Sequence, residues 1–171
     1  MNLQNLLPSR IGGIRVLKIR ILCLGSIKEK YMRQGIDEYL KRLRSYAQVS
    51  IIEIPDSPIP RKEKDCQIML KNEAIKLRQN LRGYNVLLDI DGKELSSVEM
   101  AKQMEEWMIS GNSTITFVIG SSLGVDSDLK KEFDFLWSFG LLTFPHQLMR
   151  LMLLEQIYRV FKIQSGEPYH K

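Results

Sequence analysis

Short apolar runs alternate along this chain with longer stretches in which apolar residues return every three or four positions. Residues 19–24 form an apolar run ended by Gly25, residues 49–54 are β-branched and stop at Pro55, and residues 85–90 close on Asp89-Ile90-Asp91-Gly92; each is predicted as a strand. Residues 114–119 and 135–139 add two more strands. Helices are predicted over 31–45, where Ile36, Tyr39, Leu40 and Leu43 share a face, and over 61–80, where Ile68, Met69, Ala74, Ile75 and Leu77 form one stripe. Ser96 or Ser97 caps a third helix whose buried face carries Val98, Ala101, Met104, Trp107 and Met108, closed by Gly111. A short helix follows near 127–133, and the longest spans 145–164. Three prolines make 55–60 an irregular loop. Nearly continuous apolar strands separated by single helices imply one α/β domain around a parallel sheet covered on both faces.

At 171 residues the chain suffices for one domain with a real core, and 44% hydrophobic with 26% charged residues fits a soluble globular protein. Charge is unevenly spread. Residues 1–44 hold ten Lys/Arg against three acidic residues, while the remainder is slightly acidic, so the net +5 comes from one end. A solvated helix face accounts for such a patch as readily as does a polyanion such as RNA. Cys23 and Cys66 have neither metal nor redox spacing, which makes a reducing cytoplasm the expected setting. No stretch is long and uncharged enough to span a membrane. Arg10 and Arg15 break the opening segment as a signal sequence, and the ordered pattern starts at Leu17; residues 1–16 are therefore expected to be a disordered N-terminal extension to a domain over 17–171.

Parallel sheets bind ligands at the carboxyl ends of their strands. Three strand ends here carry turn chemistry, at 88–92, 119–124 and 139–144, with glycines that permit close backbone approach. None is a dinucleotide fingerprint or a phosphate loop, no Ser-His-acid or Cys-His arrangement is legible, and two unaided histidines make no metal site. His146 is read as holding the start of the last helix. That helix is apolar well beyond one face: Leu148, Leu151, Met152, Leu154, Ile157, Tyr158 and Phe161 form a stripe that Met149, Leu153, Val160 and Ile163 widen. The surplus implies burial against a second subunit or deep in the core. Glu155 and Arg159 are spaced for an i,i+4 ion pair. The chain then stops after Tyr169-His170-Lys171, a composition that suggests a docked tail.

Leu-Asp-Ile-x-Gly-Lys at 88–93, Ile-Gly-x-x-x-Gly at 119–124, Leu-Thr-Phe-Pro-His-Gln-Leu-Met-Arg at 142–150, and Glu-Gln-x-Tyr-Arg-x-Phe-Lys-Ile followed by Gly-Glu-Pro-Tyr-His-Lys at 155–171 resemble the RlmH (YbeA-type) ribosomal RNA methyltransferases. The likeness runs from about Leu17 to the last residue. It implies a SPOUT fold, a parallel sheet with a deep C-terminal trefoil knot, and a homodimer. It also implies methyl transfer from S-adenosylmethionine, leaving S-adenosylhomocysteine, to N3 of a pseudouridine in helix 69 of large-subunit rRNA, free or in the assembled ribosome.

Position by position, the resemblance puts the cofactor against Leu88, Gly120 and the run Phe139, Gly140, Leu141, Leu142, Thr143 and Phe144. Ser121 stands where the family has a second glycine, and would cost about 1 kcal/mol if its backbone needed positive φ. A sulfonium methyl is already activated, so in-line positioning supplies most of the acceleration. The imide proton must still leave. His170 or Tyr169, brought from a partner subunit, is the expected acceptor, with Arg150 and Arg159 steadying the anion or a phosphate. Lys28, Lys30, Arg33, Lys41, Arg42 and Arg44 are then candidate rRNA contacts. A non-catalytic RNA-binding or ribosome-assembly protein, favoured only by Ser121, and a SPOUT enzyme acting on tRNA are the alternatives.

Overall fold

Every predicted strand forms, and all five align in parallel, in the order β2-β1-β4-β3-β5. The computed structural model describes residues 16–169; the expected extension up to residue 15, and His170, lie outside them. Strands β1 (Lys18–Leu24), β2 (Gln48–Ile54), β3 (Tyr84–Glu94), β4 (Thr114–Ile119) and β5 (Phe135–Ser138) alternate with helices α1 (Lys30–Leu43), α2 (Glu63–Asn80), α3 (Ser97–Ile109), α4 (Ser127–Lys130) and α5 (His146–Gln164).

Two hydrophobic layers explain the near-continuous strands. Ile19, Ile21 and Cys23 of β1 join Ile115, Phe117 and Ile119 of β4 in the core beneath α1, α3 and α5, while Leu22, Leu24 and Val118 face α2 and α4. Successive side chains point to opposite faces, so a strand covered on both sides must be apolar at both parities. Thr116 is the buried polar residue of β4, and its hydroxyl donates to the Arg82 carbonyl at 2.6 Å.

Helix α3 starts at a capping box: Glu99 N–H donates to Ser96 Oγ at 3.3 Å and Ser96 N–H to Glu99 Oε2 at 2.8 Å. Helix α4 is shorter than expected, ending at Lys130. Asp126 caps it through the Asp128 and Leu129 N–H groups, and Phe133 folds into the core instead of extending it.

Helix α5 packs against both α1 and α3. Leu153, Leu154, Ile157, Val160 and Phe161 are buried, while Leu148, Leu151 and Met152 stay half-buried. A helix with neighbours on both flanks and a sheet beneath needs apolar residues on three sides. That accounts within one chain for most of the width expected to demand a second subunit.

Strand β3 is longer than predicted, with an internal excursion. Leu88 and Lys93 both pair with Trp137 of β5, and residues 89–92 bulge out between them. The excursion lies directly on β5: a Cβ on Gly92 would sit 2.7 Å from the Leu136 carbonyl carbon and the Trp137 nitrogen. After β5, residues 139–144 border the same cleft as the ends of β3 and β4, and then α5 begins.

Candidate active site

The three strand ends with turn chemistry converge on one cleft. It has a volume of about 470 Å³ and is walled by 88–91 after β3, 119–125 after β4, and Trp137, Phe139, Gly140, Leu142, Thr143 and Phe144 around the end of β5, with His146 and Met149 of α5 at its side. That volume matches a small-molecule site.

Its glycines have identifiable duties. A Cβ on Gly120 would approach Val125 Cγ2 at 2.7 Å and the Gly124 carbonyl oxygen at 2.8 Å, so only glycine fits beneath the 121–124 turn. That turn is closed by Ser121 N–H donating to Gly124 O at 3.2 Å and Gly124 N–H to Ser121 O at 2.9 Å. Positive φ falls on Gly124 (+83°) and Gly140 (+103°), and on no described residue other than glycine. The cost anticipated at Ser121 is therefore absent, and with it the feature that favoured a non-catalytic protein. Seven of the eight residues expected against the cofactor line the cleft; Leu141 turns outward and is 83% exposed.

The polar residues of the wall were not anticipated. Lys130 Nζ bridges Asp89 Oδ1 and Asp91 Oδ2, both at 2.8 Å, tying α4 to the β3 excursion. The Asp91 N–H donates to Asp89 Oδ1 at 2.9 Å, which folds the excursion into a tight turn. The hydrogen bonds to Asp89 and then Asp91 hold the Lys130 ammonium above its ordinary range. Asp-x-Asp is legible in the sequence as a turn; its third member, from another element, is not.

Arg150 needs correction. Expected to steady a reacting anion, it is fully buried, with NH1 donating to Glu53 Oε1 at 2.7 Å and NH2 to the carbonyls of Leu24 (3.0 Å) and Gly25 (2.7 Å). Glu53 Oε1 also accepts the Ile27 N–H at 3.1 Å. The guanidinium clamps the end of β1 to the start of α5 and does not reach the surface. Its helix face reads as apolar and functional alike; only the fold turns it inward.

Arg159 of α5 and Tyr169 of the tail beyond it come together. Arg159 Nε donates to Glu155 Oε1 at 3.0 Å, its guanidinium lies 4.8 Å over the Tyr169 ring, and Tyr169 packs edge-on against Tyr158 at 5.1 Å. Burial, then a hydrogen bond with Tyr39, pushes the Tyr169 phenol up to about 12. At neutral pH it is a donor, which removes it as the proton acceptor. It sits beside Glu155, six residues along α5 from Met149 at the side of the cleft, or about 9 Å at 1.5 Å per residue. Tyr169 is not among the residues that line the cleft of its own chain.

The six candidate RNA contacts are exposed along α1 and the loop before it. Two are partly engaged: Arg33 NH2 donates to Ile27 O at 2.7 Å, and Arg42 pairs with Glu38 at 2.9 Å while lying 5.3 Å over the Tyr39 ring.

His146 does not cap α5, whose N-cap is Pro145. Its Nε2 and Asp56 Oδ2 lie 3.3 and 3.1 Å from where a Gly25 Cβ would be, so the imidazole sits between the cleft and the end of β1. Burial and then Arg150 hold its pKa below the ordinary 6.5. The neutral ring is the form the fold favours, so its contribution to stability is present above 6.5 and lost as pH falls through the lowered folded value. An NMR titration should find one imidazole, absent in His146→Gln, titrating below 6.5; a value at or above it would contradict this environment.

The family described as Predicted SPOUT methyltransferase matches residues 17–170. A protein of Enterococcus faecalis named Ribosomal RNA large subunit methyltransferase H is 50% identical over 159 residues, covering 91% of this chain and 100% of that protein. One of the same name from Desulforamulus reducens is 48% identical over 160 residues, with the same coverage. Among solved structures, a probable methylase family protein from Haemophilus influenzae aligns with a TM-score of 0.52 at 10% identity, over 90% of this chain and 70% of that one. At that identity the likeness is one of fold.

Proposed function

The chain belongs to the SPOUT methyltransferase family, and from that premise we propose that it methylates large-subunit ribosomal RNA with S-adenosylmethionine, at N3 of a pseudouridine in helix 69. The observation that carries this reading is the cleft at the ends of β3, β4 and β5, formed by the segments that bear the family motifs.

The residues present fit that cofactor. Gly120, Gly124 and Gly140 leave backbone where side chains would otherwise stand, and Leu88, Ile119, Leu142 and Phe144 supply apolar walls. Asp89, Asp91 and Lys130 together carry one net negative charge, which suits a sulfonium cation better than a phosphate. When bound, S-adenosylmethionine supplies an activated methyl group and leaves as S-adenosylhomocysteine. The chain's own work is then to exclude water, align the base nitrogen with the methyl carbon, and take the imide proton. Arg159 and the phenol of Tyr169 offer a cation and a donor to the developing imide anion, and His170 remains the proposed acceptor.

In this reading those groups act from a second copy. Tyr169 does not line the cleft of its own chain, and the half-buried Leu148, Leu151 and Met152 offer a surface for pairing. The deep knot belongs to the same proposal, supported by the family match and by the segments 119–125 and 139–144 lining one cleft. The family match beginning at residue 17 supports taking 17–171 as the catalytic domain and 1–16 as an extension of it. Among the described residues no helix is long and apolar enough to cross a membrane, and a cytoplasmic site of action follows from the proposed substrate.

The test is methyl transfer to purified ribosomes and to free rRNA, read by mass spectrometry of the modified nucleoside. One methyl on N3 of a helix 69 pseudouridine is expected; methylation elsewhere, or none, would overturn the assignment. Charge reversal at Lys41 and Arg44 should raise KM for RNA and flatten its salt dependence. Sedimentation showing only a monomer at assay concentration would remove the shared-cleft part of the mechanism.

A further inference from the structure

The C-terminal tail leaves α5 along a path set by several bonds. Gly166, at φ +67°, reverses the chain, its N–H donating to Ile163 O at 3.0 Å. Glu167 N–H donates to Lys162 O at 3.0 Å, and Tyr169 N–H to Glu167 O at 2.8 Å. The Glu167 carboxylate is held from two directions: one oxygen is ion-paired to Lys162, and the other accepts the Tyr46 hydroxyl at 3.0 Å.

Tyr46 lies between α1 and β2, distant in sequence from the tail, and its ring cannot swing freely. It stacks on Phe161 at 5.2 Å with planes 10° apart and meets Tyr158 edge-on at 6.0 Å. The hydroxyl therefore has one direction in which to point. Lys162 in turn lies 5.7 Å over the Tyr158 ring. Downstream of this anchor, the Tyr169 ring rests on Tyr158 and under Arg159, with its hydroxyl donating to Glu155 at 3.4 Å.

We propose that Tyr46, acting through Glu167 and Lys162, is a positioning residue for methyl transfer: it latches the tail to the body of the domain so that Tyr169 is presented in one orientation. Terminal residues otherwise fray, because few contacts offset their backbone freedom. An anchor two residues before the tyrosine removes that freedom where it matters. The role rests on the reading above, in which the tail completes a methyl-transfer cleft.

Tyr46→Phe keeps the ring stacked and deletes only the hydroxyl; Glu167→Gln keeps the shape and deletes the charge. Each is expected to lower kcat about tenfold with KM for S-adenosylmethionine unchanged, since misplacement of a positioned group costs rate and not cofactor binding. The double variant should lose less than the product of the two single losses, because both substitutions loosen one anchor at the Glu167 side chain. Hydrogen exchange at the Tyr169 amide, followed by NMR, should quicken in both variants while the melting temperature stays put. Unchanged exchange overturns the latch whatever the rate does. Faster exchange with a wild-type kcat overturns its role in catalysis. If the wild-type protein transfers no methyl group, the proposed function falls, and exchange still decides whether Tyr46 holds the tail.

Discussion

Replacing Arg150 with alanine is expected to destabilise the domain by about 3 kcal/mol, because it deletes a fully buried guanidinium that ties Glu53 to two main-chain carbonyls. Three acceptors lose the guanidinium at once: the carbonyls of Leu24 and Gly25, and Glu53 Oε1, which keeps the Ile27 N–H. Buried acceptors left unpaired each cost more than an ordinary hydrogen bond contributes. The Glu53 side chain is 41% exposed and partly rehydrates, which keeps the loss from the top of the range. Arg150→Lys should recover only part of it, since a single ammonium cannot span the fork that meets a carboxylate on one side and two carbonyls on the other. Urea unfolding checks this: the midpoint should fall with the slope preserved. A loss below about 1 kcal/mol, the scale of a surface pair, would mean the clamp is not structural.

Gly120→Ala is expected to weaken S-adenosylmethionine binding by at least about tenfold, or about 1.4 kcal/mol. The added methyl would sit 2.7 Å from Val125 Cγ2 and 2.8 Å from the Gly124 carbonyl, and must push the 121–124 turn that forms one wall of the cleft. Overpacking of this kind also costs about 1–3 kcal/mol of stability. Gly124→Ala separates wall from turn. A Cβ there meets nothing within 4 Å, although φ is +83°, so it should cost about 1 kcal/mol of strain and leave the cleft its shape. Calorimetric titration of both variants distinguishes the two. Equal affinity in Gly120→Ala and the wild type would show that the cofactor does not lie against this wall.

Element positions were legible because each signal is local. Alternation, capping residues and breakers act within a few residues, and so the run at 114–119 and the cap at Ser96 fell where the structure has them. The departures share one cause. The excursion at 89–92 is held by Lys130, some forty positions away, and α4 stops early because Phe133 finds a place in the core. Neither contact leaves a trace in local periodicity.

The candidate site divides in the same way. Glycine-bearing strand ends pointed to the cleft, since parallel strands must present their carboxyl ends on one side. Arg150 reads as a functional cation because it stands alone on an apolar helix, and its partners lie far away in sequence, on β2 and at the end of β1. Tyr169 reads as a proton acceptor from its place in the motif, but the fold buries its phenol and sets it under Arg159, where it is a donor.

By itself the order of residues determined the parallel α/β layering, the strand ends that wall the cleft, and the concentration of positive charge in residues 1–44, for each is a property of local spacing or composition. Only the tertiary structure decided which charges are spent internally, that Lys130 closes one wall, and that Tyr46 reaches across to hold the tail. Those outcomes depend on which distant side chains meet and how dry the meeting place is, and a linear pattern carries no record of either.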